Sequence, residues 1–316
     1  YGQWQFPVII TNCDFFNNTG GDGGALYIPQ TASFSGVGNR CQVVSSRFIN
    51  NTATNGGGGL CIFGAGGQPE VRNCEFRGNQ AGANGNGGAV LALNSGSPGD
   101  IIPIVACRFI GNSAGKGSAA YGQREPGSRA FGLSFTNCLF YANAADSYTV
   151  YHDGGLISET GDPYGVDMTH CTVAGNTGGG IWSRWEVNGT YGYGGNVRLR
   201  NTIVAGNGTY GVYYDNSAYP SGNRDPVIIF SDVYQHITDF GDDAVAGVGT
   251  ISLDPLFADK PASDYRLKWK GPCIDTGTNL NVTVDLLGTN RPLARGVDMG
   301  CFEASPPPPG SVIMIY

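Results

Sequence analysis

One short phrase returns through most of the chain at intervals of about thirty residues. It reads NCEFRGN at 73–79, and close variants are NCDFFNN, SSRFINN, ACRFIGN, NCLFYAN, HCTVAGN and NTIVAGN. The phrase ends in Asn each time, at Asn18, Asn51, Asn79, Asn112, Asn143, Asn176 and Asn207. A fixed period of this size is typical of a repeat protein, in which each repeat is one structural unit stacked on the next.

Each phrase also holds a small residue and a large apolar residue two positions apart. These are Cys13, Ser46, Cys74, Cys107, Cys138, Cys171 or Thr202, followed by Phe15, Phe48, Phe76, Phe109, Phe140, Val173 or Val204. Residues two apart share one face of a strand. A Gly-rich loop and a second short strand, such as GGALYI or GGAVLAL, follow the Asn. The alternation and the 52 glycines exclude helical repeats, and the interval is too short for a four-stranded propeller blade.

The pattern therefore predicts an all-β solenoid in which each repeat is one coil and equivalent strands stack in parallel. The inward residues would then form columns with a spacing of about 4.8 Å. Asn tolerates the left-handed backbone of a sharp corner, and its amide can bond to the Asn amides of neighbouring coils. We expect the seven asparagines to form such a ladder, with a row of ligand-binding side chains as the alternative.

The repeats resemble the right-handed parallel β-helix coils of the pectate-lyase-like superfamily, especially the FxxN…GGA coils of bacterial surface and secreted proteins. The stretches DPLFADKPASDYRLKWKGPCIDTGTN (254–279) and DLLGTNRPLARGVDMGCFE (285–303) are similar to the segment that ends many such proteins. The resemblance implies a right-handed parallel β-helix over 1–250 and a C-terminal closing segment over 251–304. Residues 305–316 are interpreted as a Pro-rich linker and a terminal β-strand.

Two cysteines depart from the usual terminal segment, which carries small residues at these places. We predict that Cys273 and Cys301 form a disulfide, as suits an extracellular location; two buried free thiols are the alternative. The cysteines of the repeats are interpreted as inward core residues, because they lack the short spacing of a zinc site. Whether Cys41 and Cys61 pair stays open.

Composition and charge restrict the classes of partner. The net charge is −7 and the basic residues are scattered, so nucleic acid is not expected as a partner. No apolar run is long enough to span a membrane. The chain opens directly on a strand-like YGQWQFPVII, which we interpret as a processed protein or a piece of a longer one.

The resemblance also implies an enzymatic alternative, since related β-helices cleave acidic polysaccharides. Such a lyase needs a basic residue near the sugar and often Ca²⁺ held by Asp side chains; otherwise no cofactor is expected. The densest titratable group is His152, Asp153, Asp162, Asp167 and His170, for which an ordinary turn region is the simpler interpretation. The pair Asp242–Asp243 favours a solvated loop, and the histidines, including His236, lack metal-ligand spacing. No catalytic or metal-binding residue is predicted.

A group of aromatic residues predicts a surface for carbohydrate or for a protein partner. Its members are Trp182, Trp185, Tyr191, Tyr193, Tyr213 and Tyr214, some of which must lie outside a solenoid. Core positions are the alternative for those on short strands.

The two ends of the chain predict self-association. The strand after PPPP could add to the first coil of another copy, so Trp4, Val312, Ile313, Met314 and Ile315 are the candidate contacts. The beginning of an adjacent domain is the alternative. The sequence thus favours an extracellular, cell-surface and bacterial protein with a structural or adhesive role. The alternative is a lyase or glycoside hydrolase acting on an acidic glycan.

Overall fold

The computed structural model describes residues 8–29, 41–64, 69–94, 100–124, 131–153, 165–184, 186–188, 191–193, 195–215 and 226–306. Over these ranges the chain is all-β, without a helix, and winds as a right-handed parallel β-solenoid. Eight strands stack in each of three sheets, and a fourth sheet follows the first five coils. The predicted fold class is therefore confirmed. No segment within the described ranges is a helix able to cross a membrane.

We number the coils 1 to 8 and call the sheets A, B, C and D in the order in which a coil passes through them. Sheet A contains Ile9–Thr11, Gln42–Val44, Glu70–Arg72, Asp100–Val105, Phe131–Thr136, Gly165–Thr169, Asn196–Arg200 and Val227–Ile229. Sheet B contains Asp14–Phe16, Arg47–Ile49, Glu75–Arg77, Arg108–Ile110, Leu139–Tyr141, Thr172–Ala174, Ile203–Ala205 and Asp232–Tyr234. Sheet C contains Thr19–Asp22, Thr52–Gly56, Gln80–Ala81, Ser113–Ala114 and Ala144–Ala145. Sheet D contains Leu26–Ile28, Leu60–Phe63, Val90–Asn94, Ala120–Arg124, Tyr148–Asp153, Gly179–Arg184, Tyr210–Asp215 and Thr238–Asp242. Two antiparallel hairpins lie outside these sheets, Glu186–Asn188 with Tyr191–Tyr193 and Phe257–Asp259 with Asp264–Leu267.

The inward residues of sheet B form the central column of the core. Phe15, Phe48, Phe76, Phe109 and Phe140 stack face to face, with ring centroids 4.7–5.1 Å apart. Parallel register places each ring directly above the same ring of the previous coil. Burying one such side chain contributes about 1.5–3 kcal/mol, so the column stabilises every coil junction that it crosses.

The column of Cys, Ser and Thr has a polar role as well as a small size. The Cys74 thiol and the Ser46 hydroxyl each donate to the backbone carbonyl two residues earlier, at 3.2 and 2.9 Å. Side chains of this column also accept a backbone N–H from the coil before, as Ser46 does from Cys13 at 3.1 Å and Cys107 does from Cys74 at 3.4 Å. Because thiol and hydroxyl groups are both small donors and acceptors, Cys, Ser and Thr can replace one another here.

The seven asparagines lie in one continuous ladder at the corner between sheets B and C. From Asn18 to Asn176, each side-chain amide donates to the side-chain oxygen of the next Asn at 2.7–3.0 Å. From Asn51 onward, the amide also donates to a backbone carbonyl of the coil before, for example from Asn112 to Phe76 at 3.0 Å. The side-chain oxygen accepts a backbone N–H and an amide N–H, so a central ladder Asn such as Asn112 has every hydrogen-bonding site filled.

The residue with a left-handed backbone is the one before each ladder Asn. The sequence interpretation placed this conformation at the ladder Asn itself and is wrong on that point. At this corner φ is positive at Asn17, Asn50, Gly78, Gly111, Ala142, Gly175, Gly206 and Gln235. The ladder Asn itself begins the next stretch of pairing; the carbonyl of Asn18, for example, accepts from Thr52. A side chain that must point inward and bond along the stack therefore follows the turn residue and does not make the turn.

The last coil is followed by an incomplete ninth turn and then by a segment that folds back. Residues 244–253 pair with the last strands of sheets A and B, as in the bond from Val233 N–H to the Ile251 carbonyl. Residues 254–304, here called the C-terminal segment, then lie along the outer face of sheet B. The domain boundary predicted at 250/251 stays a prediction.

The predicted disulfide between Cys273 and Cys301 is not formed. Both are buried free thiols, as are most of the other cysteines, and Cys41 and Cys61 are free as well. The Cys273 thiol donates instead to Asp232 Oδ2 at 3.3 Å, and burial raises its pKa far above the usual range. The alternative of two buried thiols is therefore the one that the structure supports.

Candidate binding groove beside the C-terminal segment

The outer face of sheet B changes character half-way along the solenoid. The residue after each inward Cys, Ser or Thr points outward, and in coils 1 to 4 it is Asp14, Arg47, Glu75 and Arg108. In coils 5 to 8 the same register positions hold Leu139, Thr172, Ile203 and Asp232. We call the first four coils the open half and the last four the covered half, because the C-terminal segment lies on the latter.

Apolar packing holds the C-terminal segment on the covered half. Leu139 and Ile203 are 5% and 1% exposed, and they pack in one cluster with Phe257 and Met299 of the segment. Gly300 makes the closest approach, since a side chain there would meet Ile203 and Thr172. The chain comes near enough for the Cys301 N–H to donate to Thr172 Oγ1 at 3.1 Å.

A buried ion pair organises the polar part of the segment. Arg291 and Glu303 have side chains that are 0% and 1% exposed, and Nη1 donates to Oε1 at 2.5 Å. Arg291 also donates to the Gly300 carbonyl at 2.8 Å and to Asn137 Oδ1 at 3.4 Å. Because Asn137 belongs to the solenoid, this guanidinium ties the segment to coil 5. We call these contacts the Arg291 network.

Two corner residues of the solenoid complete this interface. His170 and Asn201 stand at the corner between sheets A and B, both with positive φ, and Nε2 of His170 lies 3.1 Å from Nδ2 of Asn201. The Asn amide can only donate here, so the imidazole nitrogen must accept and stay unprotonated. Burial, and then the charge of Arg291, lower the pKa of His170 to about 3.

The carboxyl group of Asp298 lies opposite His170, and its pKa is shifted upward instead of downward. Burial raises the pKa of Asp298 to about 7, although the N–H groups of Asp275 and Ala304 donate to it at 2.7 Å and oppose the shift. Burial likewise raises the pKa of Asp232 to about 7 beneath the segment. The interface therefore excludes water from groups that would be charged in solution.

A groove of about 360 Å³ opens where the covered half meets the open half. Its floor is the outer face of sheet B in coils 3 to 5, and one wall is the C-terminal segment. The lining residues are Glu75, Arg77, Arg108, Ile110, Leu139, Tyr141, Ser263, Asp264, Tyr265, Arg266, Leu287 and Phe302. The groove thus combines three guanidinium groups, two carboxylates, two phenol rings and an apolar wall.

The charges in the groove do not cancel. Arg77 pairs with Glu75 at 2.6 Å, and Arg266 pairs with Asp264 at 2.6 Å. Arg108 forms no ion pair with any residue of the described ranges, and its side chain is half-buried. The groove therefore carries a net positive charge in a chain whose total is −7.

The chemistry of this site favours holding an anion over proton abstraction. Its two carboxylates are already paired with arginines, and the hydrogen bond from Arg266 lowers the pKa of Asp264. A carboxylate whose pKa is lowered in this way, as that of Asp264 is, is a weak base. Over the described ranges, no group of three or more His, Cys, Asp or Glu side chains is placed to hold a metal ion.

The predicted aromatic surface is only partly on the outside. Trp182 is 7% exposed and stacks on Tyr151, with ring centroids 3.9 Å apart, in an outer column of sheet D. Tyr213 continues that column and is half-buried. Tyr214 is 1% exposed and belongs to the core, so its assignment to the surface is wrong. Trp185 lies outside the described residues, and Tyr191 and Tyr193 are described only as backbone of a hairpin strand.

The error at Tyr214 concerns which face of its strand this residue occupies. Tyr213 shares its register position with Trp182 and Tyr151, which point outward, whereas Tyr214 shares that of Ser183 and the buried His152. Adjacent residues of a strand point to opposite faces, so only one of the two tyrosines can be outside.

The dense titratable group is not one site. His152 is buried inside sheet D, and Asp153 pairs with Arg184 at 2.5 Å on the outside. Asp167 pairs with Arg200 at 2.8 Å on sheet A, and His170 lies beneath the C-terminal segment. Asp162 lies outside the described residues. Asp242 and Asp243 are exposed at the end of sheet D.

His236 has a role that the sequence did not indicate. Its Nε2 lies 3.2 Å from Nδ2 of Asn207, and its Nδ1 lies 2.9 Å from Asp239. The imidazole thus ends the Asn ladder as an acceptor. The candidate contacts Trp4, Val312, Ile313, Met314 and Ile315 lie outside the described residues.

Arg108 and the Arg291 network are the functional residues that sequence reasoning missed. A signal for Arg108 was present: the residues after Cys13, Ser46, Cys74 and Cys107 alternate in sign, whereas those after Cys138, Cys171 and Thr202 are uncharged. Arg291 and Glu303 lie within the terminal motif 285–303, but nothing in that motif shows which face of the solenoid the segment contacts.

Comparison with known proteins identifies part of the repeat. Residues 12–29 and 45–62 match the model of the Chlamydia polymorphic membrane protein repeat. The matched stretches run from the corner before sheet B to sheet D in coils 1 and 2. No curated protein matches the chain. The chain is therefore a parallel β-solenoid whose first two coils are similar to a repeat of bacterial membrane proteins.

Proposed function

We propose that the chain is the extracellular, surface-exposed part of a bacterial protein and serves as a rigid adhesive or structural rod. The observation that carries the proposal is the match of coils 1 and 2 to a repeat of Chlamydia polymorphic membrane proteins. The name of that family refers to a membrane, which supports a location at the bacterial surface.

The mechanics of the fold support this role. Eight coils at about 4.8 Å each give a rod about 40 Å long. Its Phe column and Asn ladder run through successive coils, so bending would break many contacts at once. A rod of this kind holds its outer faces at fixed positions, which suits a protein that must contact another surface.

The manner of attachment to partners is a further part of the proposal. Self-association through the terminal strand predicted within 305–316 would give a fibre, and continuation into another domain would give a surface-anchored module. Deleting residues 306–316 separates these two, because only the fibre depends on that strand.

Display of the chain on beads tests the proposal. We expect coated beads to adhere to host cells, and beads coated with the heat-unfolded chain not to adhere. Negative-stain microscopy of the same protein distinguishes filaments from isolated rods. Equal adhesion by folded and unfolded chain, with no regular assembly, would contradict the proposal.

A further inference from the structure

We propose that the groove at the boundary between the open and the covered half binds a single carboxylated sugar at the end of a glycan. This assignment deepens the proposed adhesive function, on which it rests, by naming the class of ligand. Arg108 lines the groove, and its guanidinium has no carboxylate partner among the described residues. A guanidinium can hold a carboxylate through two parallel hydrogen bonds.

The remaining walls suit a sugar ring. Tyr141 and Tyr265 lie with ring centroids 5.1 Å apart, and Leu287 and Phe302 supply apolar surface beside them. The hydroxyl of Ser263 and the paired carboxylates can bond to sugar hydroxyl groups. Amphipathic sugar rings bind where a flat apolar surface adjoins such polar groups.

The size and the charge of the site favour one acidic residue over a long polyanion. A volume of about 360 Å³ is near the lower end of the range for small-molecule sites, ~300–1,000 Å³. The field of one unpaired guanidinium is screened beyond ~8 Å at physiological salt. The chain as a whole is negative, with a net charge of −7, and would repel an extended polyanion.

The topology argues against an acidic peptide as the ligand. An extended peptide binds best when it adds to the free edge of a sheet. The floor of the groove consists of sheet B strands of coils 3 to 5, and each is already paired on both sides. The floor of the groove therefore offers side chains and no free strand edge.

Titration of the purified full chain tests the assignment. The probes are sialyllactose and glucuronic acid, which carry a carboxylate, with lactose as the neutral control and polygalacturonate and polyglutamate as polyanions. We expect one or both carboxylated sugars to bind and lactose not to bind. Whichever carboxylated sugar binds identifies the source of the acidic group.

Matched variants locate the binding. Arg108→Gln should weaken the binding of the carboxylated sugar at least about tenfold, since a charged hydrogen bond is lost. Arg47→Gln removes an arginine from the same column outside the groove and should leave binding unchanged. An unchanged melting temperature of Arg108→Gln shows that the fold is intact.

Three results would overturn the assignment: equal weakening by both variants, binding of lactose as tight as that of sialyllactose, or binding of the polyanions alone. Cell adhesion is measured on the same samples. No binding of either carboxylated sugar by the unchanged chain, with intact adhesion, removes this assignment only. Sugar binding by the unchanged chain without adhesion removes the proposed function only.

Discussion

The open and covered halves of sheet B share one interior and differ on the outside. Inward, Phe76 of coil 3 and Val173 of coil 6 occupy the same column, and the Asn ladder passes both. Outward, the open half carries paired charges such as Arg47 and Asp14, whereas the covered half carries Leu139 and Ile203. The interior residues thus build the coil, and the outward residues decide what lies on it.

The boundary between these halves is where a ligand site can arise. A flat strand face alone gives no concave surface, and a fully covered face gives no access. At coils 3 to 5 the edge of the C-terminal segment supplies a wall, and the charged column supplies Arg108. The groove therefore exists because the edge of the C-terminal segment lies at these coils.

The largest expected effect is the loss of the Arg291 network. Arg291→Met leaves Glu303 buried without its cation, which typically costs about 3–5 kcal/mol. We expect the C-terminal segment to detach first, seen as a low-urea transition and as new protease cleavage within 254–304. A single transition at the midpoint of the unchanged protein would show that the segment is not held by this network.

Substitutions in the Asn ladder test whether the interior is the same in the two halves. Asn79→Ala lies in the open half and Asn143→Ala in the covered half, and each removes a side-chain amide that makes four hydrogen bonds. We expect similar losses of about 3 kcal/mol in the free energy of unfolding, since each leaves several buried groups unpaired. Urea titration of both variants measures this. A much larger loss in one half would contradict a common interior.

Lowering the pH should reduce the stability of the covered half, because the buried imidazole of His170 stays neutral in the folded protein. His170 has a folded-state pKa of about 3, below the usual 6.5, so its contribution is complete above pH 6.5 and is lost as the pH falls toward 3. At pH 5 the loss is about 2 kcal/mol relative to pH 7.5. His170→Asn places at this corner the residue found at Asn137 and Asn201.

We expect that variant to lose less stability than the unchanged protein between pH 7.5 and pH 5, by about the same 2 kcal/mol. Asp298, whose pKa is raised to about 7, works in the opposite direction and is present in both proteins. Its stabilising contribution is complete below pH 3.8 and is lost as the pH rises to 7. Equal pH dependence of the two proteins would mean that His170 is not kept neutral by the interface.

The smallest effect is expected in the open half. Arg47→Met breaks an ion pair whose side chains are 55% and 42% exposed, so solvent already screens it. No measurable change in the urea midpoint is expected. A loss as large as that of Arg291→Met would remove the distinction between the halves.

The sequence predicts the interior far better than the exterior. The period, the Phe column and the position of the ladder are local patterns repeated in every coil. The left-handed turn was placed one residue late because Asn suits both roles, at Asn17 and at Asn18. The sequence alone does not show which of Tyr213 and Tyr214 points into the solenoid, because adjacent residues of a strand point to opposite faces. The contact between Arg291 and Asn137 joins residues 154 positions apart, and no pattern in either segment indicates the other.

Hydroxyl-radical footprinting measures the unequal cover of the two halves of sheet B in solution. Phe16 of the open half is 45% exposed, and Ile203 of the covered half is 1% exposed. With each rate normalised to that in the urea-unfolded chain, Phe16 should be labelled freely and Ile203 should be protected. Arg291→Met should raise the labelling of Ile203 alone. Equal labelling of both residues in the unchanged protein would contradict the account.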